Sequence, residues 1–172
     1  ANANITTWTG REAPYSYITW WPISLGFNGL EAPWSDPEMR RAVNYAIDRE
    51  QLVEIGWQNS GDWTLLPIPD LPQMKKYFTL AEDIVAKHRV GVFDPEQSAA
   101  ILSRKGYARN REFWEKDGKP LSMVIDIFSH FQDLTPVLIA QLKKAGIDAS
   151  FRMTSDFNPR LRQGTARAYM IG

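Results

Sequence analysis

Residues 121–172 switch repeatedly between two periodicities, and that switching limits the fold more than any other feature of the chain. Leu121 to Ser129 alternates and is partly β-branched, which predicts a strand. Leu134, Leu138, Leu142 and Ala145 then recur on one helical stripe, with Pro136 in the first turn and Gly146 as the stop. Ala149 to Thr154 reads as a second strand, Phe157 to Gln163 as a short helix, and Ala168 to Ile171 as a third strand. Strands separated by helices cannot pair as hairpins. They must share a sheet through right-handed crossovers, so a mixed α/β fold with a βαβαβ segment is expected.

The region before it, residues 31–120, predicts helices and a proline-rich loop. Ser35-Asp36-Pro37-Glu38 is a start signal: Ser or Asp caps, Pro enters the first turn, and Glu reaches back. Met39, Ala42, Val43, Ala46 and Ile47 form an apolar helical face, which Leu52, Val53 and Ile55 continue. Asp48 predicts a second cap, with Gln51 as its box partner, and Asn59-Ser60-Gly61 ends the helical stretch. Pro67, Pro69 and Pro72 exclude a helix or a central strand, so residues 62–80 are expected to be a loop packed by Trp63, Leu65, Leu66 and Ile68. A short helix within 74–89 fits the pattern. Asp94-Pro95-Glu96-Gln97 repeats the start signal, with Gly106 as the stop, and Asp117-Gly118 is a turn. Residues 1–30 predict two short strands, because Tyr15 to Trp21 is dense in strand formers while Pro22 and Gly26 interrupt the run.

Composition removes several functions. The 172 residues carry 20 basic and 20 acidic side chains, and this neutrality argues against a nucleic-acid partner. The absence of cysteine excludes disulfides, thiolate nucleophiles and Cys-based zinc sites, and two histidines, His88 and His130, leave little for metal binding or His-dependent catalysis. No metal site or cofactor is expected. No apolar run approaches the roughly 20 residues of a membrane span. The chain lacks a GxSxG elbow, a Walker loop, an HExxH pair and a dinucleotide glycine fingerprint, so catalysis is not expected. A hydrolase using two carboxylates distant in sequence leaves no spacing signal and stays as a remote alternative. Residues 1–86 hold 6 basic and 11 acidic side chains and residues 87–172 hold 14 and 9, which two solvated faces of one domain explain.

In sheets built by crossovers, ligands favour the loops after the carboxyl ends of the strands. That rule selects Ser129, His130 and Phe131 as ligand contacts, with a helix-entry loop capped by Ser129 or Asp133 as the competing reading. Trp20 and Trp21 are candidates for lining an apolar pocket. Adjacent in a strand, they face opposite sides and cannot both enter one site. Asp126 lies mid-strand among apolar residues, either as a functional buried carboxylate or as a solvent-facing or hydrogen-bonded one. Arg40 and Arg41 suit ion pairs, solvated charge or a phosphate. Arg152, Arg160, Arg162 and Arg167 suit dispersed surface charge or an anionic partner.

Four motifs, in order, carry a resemblance. Asp36, Arg40, Ala42, Ala46, Ile47, Asp48 and Arg49 match a signature of the family 5 extracellular solute-binding proteins, with Met39 at a position usually held by Val. Phe27-Asn28 followed by Pro33-Trp34 resembles the strand end and Pro-aromatic pair before that helix. Asp94 to Ala99 with Gly106-Tyr107, and Gln141 to Ile147, resemble two later helix motifs. The resemblance implies one lobe, residues 1–172, of a two-lobed periplasmic-binding-protein-like receptor (type II, family 5), beginning near the interlobe crossing, with the rest of the receptor outside this sequence. It implies capture, without turnover, of a small-molecule or peptide solute for the membrane permease of an ATP-binding-cassette importer, in the periplasm or another extracytoplasmic place. Oligopeptides are the first expectation, and metal chelates or opine-like molecules the second. Family members also place contacts, often a ring, at the turn occupied here by Ser129 to Phe131. A protein-interaction module without solute binding is the alternative.

Overall fold

The computed structural model of the chain describes residues 21–172. The strand expected around Tyr15 to Trp20 lies outside the described residues. Strand β1, Ser24–Phe27, precedes helices α1, Pro37–Tyr45, and α2, Arg49–Gln51. A π-turn at Leu52–Gly56, the loop 57–71 and a 3-10 turn at Pro72–Met74 lead to α3, Lys75–His88, and then α4, Pro95–Arg104. Three short strands follow: β2, Ala108–Asn110, β3, Phe113–Lys116, and β4, Lys119–Pro120. The last part is β5, Ser122–Ile127, α5, Thr135–Lys144, β6, Asp148–Met153, α6, Phe157–Arg162, and β7, Ala168–Ile171.

The main sheet has the order β1-β7-β5-β6. Strands β6 and β7 both run parallel to β5, as the intervening helices require, and β1 closes one edge antiparallel to β7. Met123, Ile125 and Ile127 point from β5 into a core shared with Leu138 and Leu142 of α5. Full burial of each such side chain contributes on the order of 2 kcal/mol. Helix α4 docks on α1, where Ser98 Oγ donates to the Ala42 carbonyl at 2.8 Å and the Asp94 amide donates to the Tyr45 carbonyl at 2.9 Å. All five residues of the predicted α1 face, Met39 to Ile47, are buried.

Several local expectations change. Gly26 lies inside β1 rather than breaking it. It pairs with Tyr169, whose ring covers its Cα so closely that a Cβ would stand 2.3 Å from it. Asp36 caps α1 through the Glu38 amide at 2.9 Å, but the Glu38 carboxylate does not reach back. It turns to Arg41 at 2.5 Å and Arg104 at 2.9 Å. At α2, Asp48 accepts from the Gln51 amide at 3.1 Å, and the reciprocal bond of the box comes from α5: Gln141 Oε1 accepts from the Asp48 amide at 3.0 Å. Ile55 leaves the apolar face and is 57% exposed, because the π-turn rotates it outward.

Residues 31–120 also hold a second, three-stranded sheet, β2-β3-β4, that the sequence reading missed. Its Asp117-Gly118 turn has both residues at positive φ, as a tight hairpin needs. The sheet is held to the end of α5 through Trp114, whose Nε1 donates to the Ala145 carbonyl at 2.9 Å and whose amide donates to the Gly146 carbonyl at 2.8 Å. Helix α3 lies within residues 74–89, where a short helix is expected, but it begins inside the 62–80 stretch expected to be a loop and spans 14 residues, none of them fully buried.

Candidate functional site at the carboxyl end of the sheet

Register fixes which segments meet at the carboxyl end of the main sheet. Ile127 of β5 lies beside Met153 of β6, Asp126 beside Tyr169 of β7, and Ile171 beside Ser24 of β1. Because β1 is antiparallel, its beginning joins the ends of the other three strands. One edge therefore carries residues 21–23, 128–131, 154–156 and Gly172.

Ser129 and His130 sit exposed on a 3-10 turn at that edge. Phe131, on the same turn, is 8% exposed and packs in the core. Neither Ser129 nor Asp133 caps the helix that follows; Thr135 Oγ1 instead donates to the Phe131 carbonyl at 2.6 Å. Trp21 is 73% exposed, and its carbonyl lies against the backbone of Gly172. The structure thus brings Trp21 to the edge that carries Ser129 and His130, with β7 between the strands that lead to them. Trp20 lies outside the described residues.

Beneath this edge is a buried charge cluster. Asp126 is 1% exposed, on the sheet face opposite Ile125 and Ile127, so a solvent-facing role is ruled out. Its Oδ1 accepts from Arg152 Nε at 2.7 Å and Nη2 at 2.6 Å, and its Oδ2 accepts from Arg160 Nε at 3.1 Å. Arg160 also donates to the Thr165 carbonyl at 3.1 Å. Two guanidinium groups share one carboxylate, which leaves a surplus positive charge held in place near the sheet end. Phe157 of α6 roofs the same face, with its ring centroid 4.0 Å from that of Phe128 and 6.4 Å from that of Tyr169. The sequence separation of 26 and 34 residues from Asp126 to its partners left no spacing signal.

A cavity of about 620 Å³ adjoins the sheet on its core side. It is half open to solvent and bordered by β1, α1, the π-turn, the loop 62–72 and α5, and it approaches the carboxyl edge at Ile23, Leu134 and Met170. The expected loop-packing residues Trp63, Leu65 and Leu66 line it rather than fill it, and Trp63 and Leu65 are each 36% exposed. Arg40 donates to the Trp34 carbonyl. Arg49 donates to Asn44 Oδ1 at 2.6 Å and to the Ile47 carbonyl at 3.4 Å, and burial lowers its pKa from its ordinary value. Among the described residues no group of three or more His, Cys, Asp or Glu gathers as a metal site, and no helix is long and apolar enough to cross a membrane.

The sequence model of the bacterial extracellular solute-binding proteins, family 5 Middle, matches residues 2–172. The chain belongs to this family. Among curated proteins it is similar to the nickel-binding periplasmic protein of Escherichia coli, at 24% identity over 157 residues, which is 87% of this chain and 28% of that protein. It is also similar to heme-binding protein A of Haemophilus influenzae, at 29% identity over 92 residues, 52% of this chain and 15% of that protein. Among solved structures, the periplasmic oligopeptide-binding protein of an oligopeptide ABC transporter from Thermotoga maritima superposes with a TM-score of 0.82 at 26% identity, covering 96% of this chain and 32% of that one. A second structure of that protein, with mannohexaose bound, gives a TM-score of 0.74. The chain therefore spans less than a third of these relatives, and its mixed α/β fold matches the corresponding part of the family 5 fold.

Proposed function

We propose that residues 1–172 form one lobe of the substrate-binding component of an ATP-binding-cassette importer. The full protein captures oligopeptides or similar small solutes in an interlobe cleft and hands them, unaltered, to a membrane permease. Its place is the periplasm or the outer face of the cell. The ligand-facing edge of this lobe is the carboxyl end of the main sheet, with Ser129, His130 and Trp21 as contacts and Phe131 supporting the turn from below. Trp20 remains a proposed contact on sequence grounds.

The observation that carries this reading is the convergence of Trp21 with the Ser129–His130 turn on one exposed edge, in a chain that belongs to a solute-binding family. A ring and an imidazole at the end of parallel strands suit a solute that offers both apolar surface and hydrogen-bonding groups. Closing a second lobe over such an edge buries the solute and creates the form a permease reads.

Native mass spectrometry of the full-length protein tests the proposal. A co-purifying peptide or small solute, released intact on unfolding, is the expected result. His130→Ala and Trp21→Ala, both at exposed positions, should each weaken its rebinding by roughly tenfold without moving the melting temperature. Chemical conversion of the solute would overturn the transport reading. Unchanged affinity in both variants would overturn the placement of the site.

A further inference from the structure

The cavity behind β1 combines apolar walls with the Arg49 guanidinium, which has no carboxylate partner among the described residues. Leu52, Val53, Trp57, Leu138 and Met170 supply apolar wall, while Arg40 and Arg49 reach it from α1 and α2. Among the described residues, the other charged groups on the wall are Lys75, Asp70 and Asp62. Lys75 and Asp70 neutralise each other at 2.7 Å, and Asp62 is exposed and accepts from the Trp63 amide. Among the described residues the Asp36 carboxylate lies close enough to feel the charge of Arg40, whereas no carboxylate pairs with Arg49. Each half-buried guanidinium has five N–H donors; Arg40 spends one on the Trp34 carbonyl, and Arg49 spends two on Asn44 and Ile47. Donors and charge are left over on a wall that is otherwise largely apolar.

We infer that this cavity is a separate binding site for an apolar monocarboxylate, whose carboxylate is received by Arg49 and whose tail lies against Leu52, Val53, Trp57 and Leu138. A carboxylate supplies the counter-charge that Arg49 has from none of the described residues and accepts in the bidentate geometry a guanidinium favours. An apolar tail displaces water that these walls hydrogen-bond poorly. The volume of about 620 Å³ lies within the range of small-molecule sites. Asn44 Oδ1 holds Arg49 by its Nη2 and so limits the conformations lost on binding. The site shares no side chain with Trp21, Ser129 or His130, so its failure leaves solute capture at the sheet end untouched.

Decanoate, kept below its micelle concentration, is the probe, read by calorimetry and by the indole N–H signals of Trp57 and Trp63. Saturable binding with a shift of the Trp57 signal is expected. Arg49→Gln should weaken it by roughly tenfold or more, and Arg49→Lys by only about threefold. Val53→Trp, which fills the cavity and keeps both arginines, should abolish it, and His130→Ala should leave it unchanged. Decyltrimethylammonium, with a similar tail and the opposite charge, should not bind. Should Arg49→Gln fail to fold, Val53→Trp and the Trp57 signal still decide. Absence of decanoate binding, equal binding by Val53→Trp, or equal binding of the cationic amphiphile would each overturn the inference.

Discussion

Gln141 is the side chain whose loss should reveal how the cavity wall is held. It leaves α5 at 8% exposure and makes three hydrogen bonds into α2: from the Asp48 amide at 3.0 Å, to the Asp48 carbonyl at 3.0 Å, and to Gln51 Oε1 at 2.8 Å. Two of these satisfy backbone groups at the start of a three-residue helix that cannot stand alone. That short helix carries Arg49 and leads directly into Leu52 and Val53, all of which line the cavity. Replacing Gln141 by Leu keeps the apolar stem and deletes all three bonds. At about 1 kcal/mol for each bond, with part recovered by water at the half-exposed Asp48 backbone, the net cost is about 2 kcal/mol. For a chain of this length that corresponds to a fall in Tm of roughly 4–8 °C. Urea denaturation of Gln141→Leu, of Gln51→Leu and of the double variant measures both the loss and the coupling between the two amides. A loss below about 0.5 kcal/mol for Gln141→Leu would refute the reasoning, because the clamp would then be no better than solvent.

Asp126→Asn keeps the shape of the buried carboxylate but removes the charge that Arg152 and Arg160 share. Since Arg152 is about half exposed and can rehydrate, a loss of about 1–3 kcal/mol in urea denaturation is expected, and a loss near zero would show that the cluster is not stabilising. Gly26→Ala should destabilise by about 1–3 kcal/mol, and Tyr169→Leu in the same chain should relieve most of that; equal effects in both backgrounds would disprove the ring contact. The Lys105 ammonium and the Glu38 amide hold the Asp36 carboxyl below its ordinary 3.8, and the Gln97 amide and Arg89 do the same for Asp94. Both contribute stability that is present above about pH 4 and lost as the pH falls through their folded-state pKa values. Replacing both with Asn, which still caps but does not titrate, should flatten the decline of Tm below about pH 4; parallel curves would count against these caps as the source.

The four motifs that carry the resemblance to the solute-binding family are built from local chemistry, which explains why they were legible. Asp36 and Asp94 cap helices, Gly106 and Gly146 take positive φ at helix ends, and the apolar face of α1 follows from helical spacing. Each depends on residues a few positions apart, so sequence order alone determined them, as it did the alternation that builds β5 to β7. The hairpin β2-β3-β4 escaped because its strands have two to four residues and carry few of the alternating apolar positions that identify longer strands.

Tertiary structure decided what meets across long separations. Gln141 completes the cap of Asp48 from 93 residues away, Arg152 and Arg160 converge on Asp126, and the antiparallel pairing of β1 with β7 carries Trp21 to the edge of Ser129 and His130. The cavity likewise belongs to no segment: β1, α1, the π-turn, the loop 62–72 and α5 border it together. Capping and periodicity act within a helical turn and are written in residue order. Charge pairing, edge registry and unfilled volume depend on distances that only the packed chain defines.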